Sequence, residues 1–283
     1  MLGWLERAMA GRWIAGPSLY DAMEIAKRIN RHRISVMVNY LGEEFRRPED
    51  VDESVRTYAR VMKGMRAAGI GGAVSIKPTQ IGLRVSTKRM EHNYADIVER
   101  ANSNGIFVWL DMETPDTVDR TISMYLRALR NSSNIGICIQ SYLKRSHGDL
   151  HRIVGAGGTV RLVKGAYGLV EGDTLMSRQA ITKNYLELME YLFAHSGRFM
   201  IATHDRAMIR RAMHLGGLHK RDVTYAMLNG IDNRYALRLA REGNSVSLYL
   251  PFGTRWVEYA YRRFMEAGHA RLILHSLARN QRL

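Results

Sequence analysis

Cysteine is almost absent: Cys138 is the single one in 283 residues. A disulfide framework is therefore excluded, and the chain suits a reducing compartment. Proline is scarce too, at five residues, and no Pro/Gly/Ser-rich stretch marks a linker between domains. No apolar run approaches the roughly 18 residues that a membrane-spanning helix needs. The first twelve residues, with Trp4, Glu6 and Arg7, lack the apolar centre of a secretory signal. A cytoplasmic protein is the expectation. Acidic residues are the other shortage: 27 Asp and Glu face 42 Lys and Arg, a formal net charge of +15. The cations are scattered, with Arg46-Arg47 and Arg210-Arg211 the densest clusters. No long basic run and no nucleic-acid module is legible. A generally cationic surface is the main reading, peripheral docking to anionic lipid is the alternative, and nucleic-acid binding is not expected.

What the chain does have is rhythm. Short apolar, often β-branched runs recur at 34–39, 70–76, 106–110, 135–139, 160–163, 199–202, 223–228 and 246–250. Between them lie segments of helical period at 54–68, 90–102, 115–130, 176–194, 206–215, 236–242 and 256–267, with Thr114-Pro115 and Asp205 as helix starts. Eight strands alternating with helices predict an α/β fold, a single (β/α)8 barrel over 1–283 with a helical extension at about 1–32. The runner-up, a doubly wound open sheet, lacks its phosphate fingerprint, because Gly69-Ile-Gly-Gly72 precedes its strand instead of following it.

Barrels of this kind carry their sites at the C-terminal ends of the strands. Those ends offer Lys77, Asp111 with Glu113, Gln140, Arg161 with Lys164, Thr203-His204, Asn229 and Tyr249. Two cations at the tip of RLVKGAYG (161–168) suggest that an anion belongs there. Asp111 reads as a site residue, Glu113 as the N-cap of the helix opened by Thr114-Pro115. Lys77, before Pro78, sits in an extended connection and is either part of the site or a solvated lysine. Arg161 and Lys164 are three apart, so either Lys164 has left the pleat at Gly165 or one cation reaches around the rim. His204 has no partner at metal-ligand spacing, and no metal site is expected; no G-x-S-x-G elbow supports a serine nucleophile. In 262–266, Glu266 can hold Arg262 or Arg263 at helical spacing. That pair could clamp one carboxylate or simply end a helix on a basic face.

Taken together, these motifs resemble those of the flavin-dependent proline dehydrogenases. RLVKGAY (161–167), SIKPTQIG (75–82), LDMET (110–114), IQSYLKRS (139–146), IATHD (201–205), MLNGI (227–231), LYLPFGTRW (248–256) and RRFME (262–266) follow the family's order, and LGEEF (41–45) extends the match upstream. The resemblance implies a distorted (β/α)8 barrel that binds FAD and oxidises L-proline to 1-pyrroline-5-carboxylate by hydride transfer, with a quinone as electron acceptor. Hydroxyproline or another cyclic imino acid is the alternative substrate. Lys77 would contact substrate, Asp111 would be the active-site acid with Met112 beside the cofactor, and Gln140 would bond the flavin ring. Arg161 would be the second catalytic residue, a cation placed where negative charge develops on the flavin. Lys164, Gly165, Ala166, Thr203 and His204 would line the FAD. Tyr249 would pack on the proline ring, Arg262 and Arg263 would clamp its carboxylate, and Glu43 would pair with one arginine as a gate. Two positions depart from the pattern: Gly168 stands where many members carry Trp, and Asp205 where Asn is common. With no room for a fused aldehyde dehydrogenase domain, product oxidation would fall to a separate pyrroline-5-carboxylate dehydrogenase.

Overall fold

The structure is a computed structural model that describes residues 13–255. The strands are β1 (Ser35–Tyr40), β2 (Gly72–Ile76), β3 (Phe107–Leu110), β4 (Ile135–Gln140), β5 (Thr159–Val163), β6 (Phe199–Ala202), β7 (Thr224–Leu228) and β8 (Ser245–Phe252). They close into one barrel in chain order, all neighbours parallel, with β8 returning to β1. The helices are α1 (Leu19–Asn30), α2 (Pro48–Ala67), α3 (Thr87–Asn104), α4 (Val118–Leu129), α5 (Ser146–Gly155), α6 (Arg178–His195), α7 (Arg206–His219) and α8 (Asn233–Arg241). Short polar side chains start them. Ser18 and Asp21 make a capping box on α1, and Ser86, Ser177, Asp205 and Asp232 accept first-turn N–H groups of α3, α6, α7 and α8. No described helix is long and apolar enough to cross a membrane.

Strand alternation explains why the strands read as apolar runs and still deliver a polar site. Successive side chains point to opposite faces. The outward set, including Val36, Val38, Val74, Ile76, Val108, Leu110, Val160, Leu162, Leu248 and Leu250, joins the large core shared with the helices. The inward set alternates with it: Met37, Ala73, Phe107, Trp109 and Ala226 form a separate small cluster, edged by Met200, Ala202 and Tyr249. Apolar filling stops part-way up the barrel, where the inward positions become Ser75, Asp111, Cys138, Gln140 and Arg161. A layer of buried polar groups therefore rests on an apolar plug.

Three details differ from the sequence reading. The single helix expected at 115–130 begins as a 3-10 turn, Pro115–Thr117, and only then becomes α4. Helix α5 was not anticipated, because its ten residues are too short and too polar at their start to show a period. Strand β8 runs on through Pro251 to Phe252; each of its last six residues pairs with β1, so this proline follows the strand's course despite lacking an N–H.

Candidate active site

Asp111 follows β3 directly and turns into the barrel. Its Oδ1 accepts from Ser75 Oγ at 2.7 Å and pairs with the Arg161 guanidinium; its Oδ2 accepts from the Tyr249 hydroxyl at 2.9 Å and lies 3.5 Å from Lys77 Nζ. The sequence reading put Arg161 at a strand tip. It instead sits mid-strand in β5, in register with Cys138 of β4, and this seat lets it reach across the interior. Its Nη2 donates to Ser75 Oγ at 3.1 Å, Nε reaches Cys138 Sγ at 2.9 Å, and Nη1 reaches Met37 Sδ at 2.8 Å. The guanidinium carbon is 5.2 Å from the Trp109 ring centroid and 5.6 Å from that of Tyr249. Asp111 and Arg161 are both buried, so removing one partner would strand the other, a change that costs about 3–5 kcal/mol.

A second tier lies nearer the mouth. Lys77 Nζ is 3.8 Å from Glu43 and 3.3 Å from the Tyr167 hydroxyl, which donates to Glu43 Oε2 at 3.4 Å. Lys77, Asp111, Glu43 and Tyr167 thus share one cluster although they come from four different loops. Burial works against the charge on Asp111, yet Arg161 and Lys77, with hydrogen bonds from Ser75 and Tyr249, hold its carboxyl below the usual carboxylate range. Burial also works against both cations. Cys138 and Asp111 keep Arg161 above its ordinary value, and Tyr167 and Asp111 keep Lys77 well above its own. Its surroundings therefore favour the ammonium form of Lys77. Burial pushes the Cys138 thiol up to about 12, which makes it a neutral packing partner of Arg161 and no nucleophile.

The residues expected around a flavin lie on the neighbouring arc, from the end of β3 to the end of β6. Gln140 donates its amide to the Met112 carbonyl at 2.8 Å, while its buried carboxamide oxygen accepts nothing from the described residues. An N–H donor from a bound group would satisfy it. His204 Nε2 accepts from Leu228 N at 3.0 Å, so Nδ1 carries the proton when the ring is neutral. Thr203 is buried and its hydroxyl accepts from Asp205 N at 3.0 Å. Gly165 has φ +118, and a Cβ there would come within 2.4 Å of the Tyr142 ring, so this bend with Ala166 is built for close backbone approach. Lys164 lies beyond the end of β5 and pairs with Asp205 at 3.7 Å: it has left the pleat, and the cations face different groups. Asp205, which also caps α7, thus adds a charge where an Asn would only cap. At Gly168 a Cβ meets nothing within 4 Å, so a larger side chain would find space. These features fit a flavin.

Glu113 corrects the sequence reading. It caps no helix. Its carboxylate is buried under the loop that follows β2, accepting from Thr79 N at 2.8 Å and Thr79 Oγ at 2.7 Å. Burial raises its pKa, opposed by Lys77 and the two Thr79 hydrogen bonds.

Comparison with known proteins now bears on this arrangement. The family model described as proline dehydrogenase matches residues 22–275. The chain belongs to the proline dehydrogenase family. It is 26% identical to proline dehydrogenase 2 of Bacillus subtilis (strain 168) over 266 residues, covering 93% of this chain and 88% of that protein. It is 29% identical to the proline dehydrogenase of Deinococcus radiodurans over 266 residues, covering 91% and 86%. Among solved structures, proline utilization A from Bdellovibrio bacteriovorus, inactivated by N-propargylglycine, superposes with a TM-score of 0.86 at 20% identity. The match covers 93% of this chain and 33% of that one, so the chain spans a third of the larger protein and shares its barrel fold.

As a proline dehydrogenase family member, the chain is an oxidoreductase. Its barrel brings Lys77, Asp111, Arg161, Tyr249 and Glu43 together, with Gln140, Gly165, Thr203 and His204 on the adjoining strand ends. Arg262, Arg263 and the helix expected at 256–267 lie outside the described residues. Sequence reasoning missed Ser75, Met37, Trp109 and Tyr167 as site neighbours. Ser75 could have been found two positions before Lys77 on the same strand face, and Tyr167 inside the RLVKGAY motif; Met37 and Trp109 look like ordinary core.

Proposed function

We propose that the chain oxidises L-proline to 1-pyrroline-5-carboxylate, with FAD taking the hydride and a quinone receiving the electrons. The observation that carries this reading is the cluster of Asp111, Arg161, Lys77 and Tyr249 at the barrel mouth of a proline dehydrogenase family member. Proline brings a carboxylate and a cationic secondary amine. Lys77, with Arg262 and Arg263, supplies the positive charge for the carboxylate. Asp111, kept ionised, offers Oδ2 to the nitrogen. Tyr249 places its ring beneath the substrate while its hydroxyl holds the same carboxylate oxygen. Fixing both ends of a small ring removes orientational freedom before reaction. The amine must be neutral to react, so the rate rises with pH through the bound amine's pKa.

Bound FAD would supply the hydride acceptor. Gln140 would offer it an acceptor, Gly165 and Ala166 a close backbone, and Met112, Lys164, Thr203 and His204 the remaining walls. Arg161, held by Ser75, Cys138 and Met37, keeps a positive charge where negative charge develops during reduction. The cationic surface suits peripheral contact between a cytoplasmic enzyme and anionic lipid, where a quinone is found, and a separate pyrroline-5-carboxylate dehydrogenase would consume the product.

The test is spectroscopic. The purified protein should be yellow, and the flavin band should bleach when L-proline is added without oxygen. A colourless, inert preparation rejects the proposal. Bleaching by hydroxyproline at higher kcat/KM than by proline would move the substrate assignment and leave the chemistry intact. Arg263→Met should raise the KM for proline with flavin retained; loss of flavin at unchanged proline affinity would refute that residue's role.

A further inference from the structure

Besides its contacts with Lys77 and Tyr167, Glu43 is carried by a loop with anchors of its own. It lies in the loop between β1 and α2, next to Glu44, whose backbone is left-handed at φ +57. Two contacts hold Glu44 in that conformation. Its N–H donates to Thr79 Oγ at 2.9 Å, and its carboxylate takes the Arg84 guanidinium in two-pronged fashion, at 2.9 and 3.0 Å. Each contact is backed by a further anion. The Thr79 hydroxyl donates to buried Glu113, which also takes the Thr79 N–H, and Arg84 Nη1 donates to Asp116 at 2.6 Å. The first chain runs in one direction, from Glu44 N–H to Thr79 Oγ–H to Glu113 carboxylate. A hydroxyl that donates to an anion is a stronger acceptor for the next donor, so the three groups reinforce one another. Burying a carboxylate is costly unless it is well bonded, and Glu113 accepts two hydrogen bonds from Thr79 of this loop system.

We propose that Thr79 and Glu113, with Arg84 and Asp116 as a second attachment, are positioning residues that fix the loop carrying Glu43 over the substrate site. The inference rests on the proline-oxidising reading and adds residues to it. It says why a carboxylate lies buried two residues after Asp111: one orders the reacting cluster, the other orders the loop across its mouth.

The experiment combines turnover with amide exchange on the full-length, flavin-loaded protein. Thr79→Val keeps the shape and removes the hydroxyl from both hydrogen bonds. It should raise the KM for proline about tenfold, the effect of losing one hydrogen bond to a charged partner, leave kcat within about twofold, and speed hydrogen exchange at the Glu44 amide. Thr79→Ser should restore both. In a Glu43→Gln background the Thr79→Val effect on KM should shrink to under about threefold, because contacts acting through one residue are not additive. Arg84→Met, which removes the second attachment, should act in the same direction. Faster exchange with unchanged KM would overturn the proposal, as would unchanged exchange, or an effect that persists in full in Glu43→Gln. If the unsubstituted protein proves inert toward proline, the reaction assigned above fails, while the exchange arm still decides whether Thr79 and Glu113 hold this loop.

Discussion

Asp111 and Glu113 are two residues apart, both buried, both at the end of β3, and they live in opposite surroundings. Asp111 points inward, between Arg161 and Lys77, and takes hydroxyl donors from Ser75 and Tyr249. Its charge is stabilised despite burial, and its pKa falls. Glu113 is tucked under the rim with Thr79 as its donor, and its pKa rises because desolvation outweighs Lys77 and the hydrogen bonds. Burial is common to both; the number and closeness of cations decides the sign. The inner region is therefore charged and reactive, the outer one an anchor for a loop. A carboxylate surrounded by fixed cations suits the handling of a substrate's charge, and one bonded to a loop suits the shaping of that substrate's path.

The largest expected effect tests the inner region. Asp111→Asn keeps the shape but removes the charge that Arg161 and Lys77 face, and should lower proline kcat/KM by roughly a hundred- to a thousandfold, the scale of losing one preorganised electrostatic partner. Stopped-flow flavin reduction without oxygen would read it. Arg161→Met comes next: it strands a buried Asp111, so a stability loss of about 3–5 kcal/mol should accompany slower flavin reduction, visible as a lower denaturant midpoint. If either variant reduces flavin at the unsubstituted rate, the inner cluster is structural and the comparison fails. By contrast Thr79→Val, in the outer region, should move KM and leave kcat nearly alone.

The barrel was legible because its outward strand faces are near-continuous Val, Ile and Leu punctuated by Gly, Pro and Asp. Asp111, Lys77, Tyr249 and Gln140 were legible as strand-end polar residues, and their family resemblance named a chemistry that periodicity could not. Arg161 was placed at a tip because a mid-strand arginine inside a barrel has no pattern of its own; the acceptors that permit it, Met37, Ser75 and Cys138, come from three other strands. Glu113 was misread for a related reason. A carboxylate before Thr-Pro has the local look of a cap, and only the fold brings Thr79, 34 positions upstream, against it. Local spacing predicts local bonds; both misreadings concern side chains whose partners are distant in sequence.

The smallest effect is the sharpest test of the comparison, because it asks for a change of sign. A carboxylate whose folded pKa lies below its unfolded value adds stability above the ordinary carboxylate range, and this is lost as pH falls through the lowered value. That describes Asp111. For Glu113 the folded state holds its proton more tightly than the unfolded chain does, so stability falls as pH rises from the ordinary carboxylate range through the raised value. The stability deficit of Asp111→Asn should therefore grow as pH rises from the lowered value to the ordinary carboxylate range, and hold steady above it. The deficit of Glu113→Gln, about 1–3 kcal/mol for a buried donor left without its acceptor, should shrink over the rising limb. Denaturant midpoints of both variants and the unsubstituted protein across that range provide the measurement. Parallel slopes for the two would mean that they share one electrostatic environment, and the division between a charged interior and an anchored rim would have to be given up.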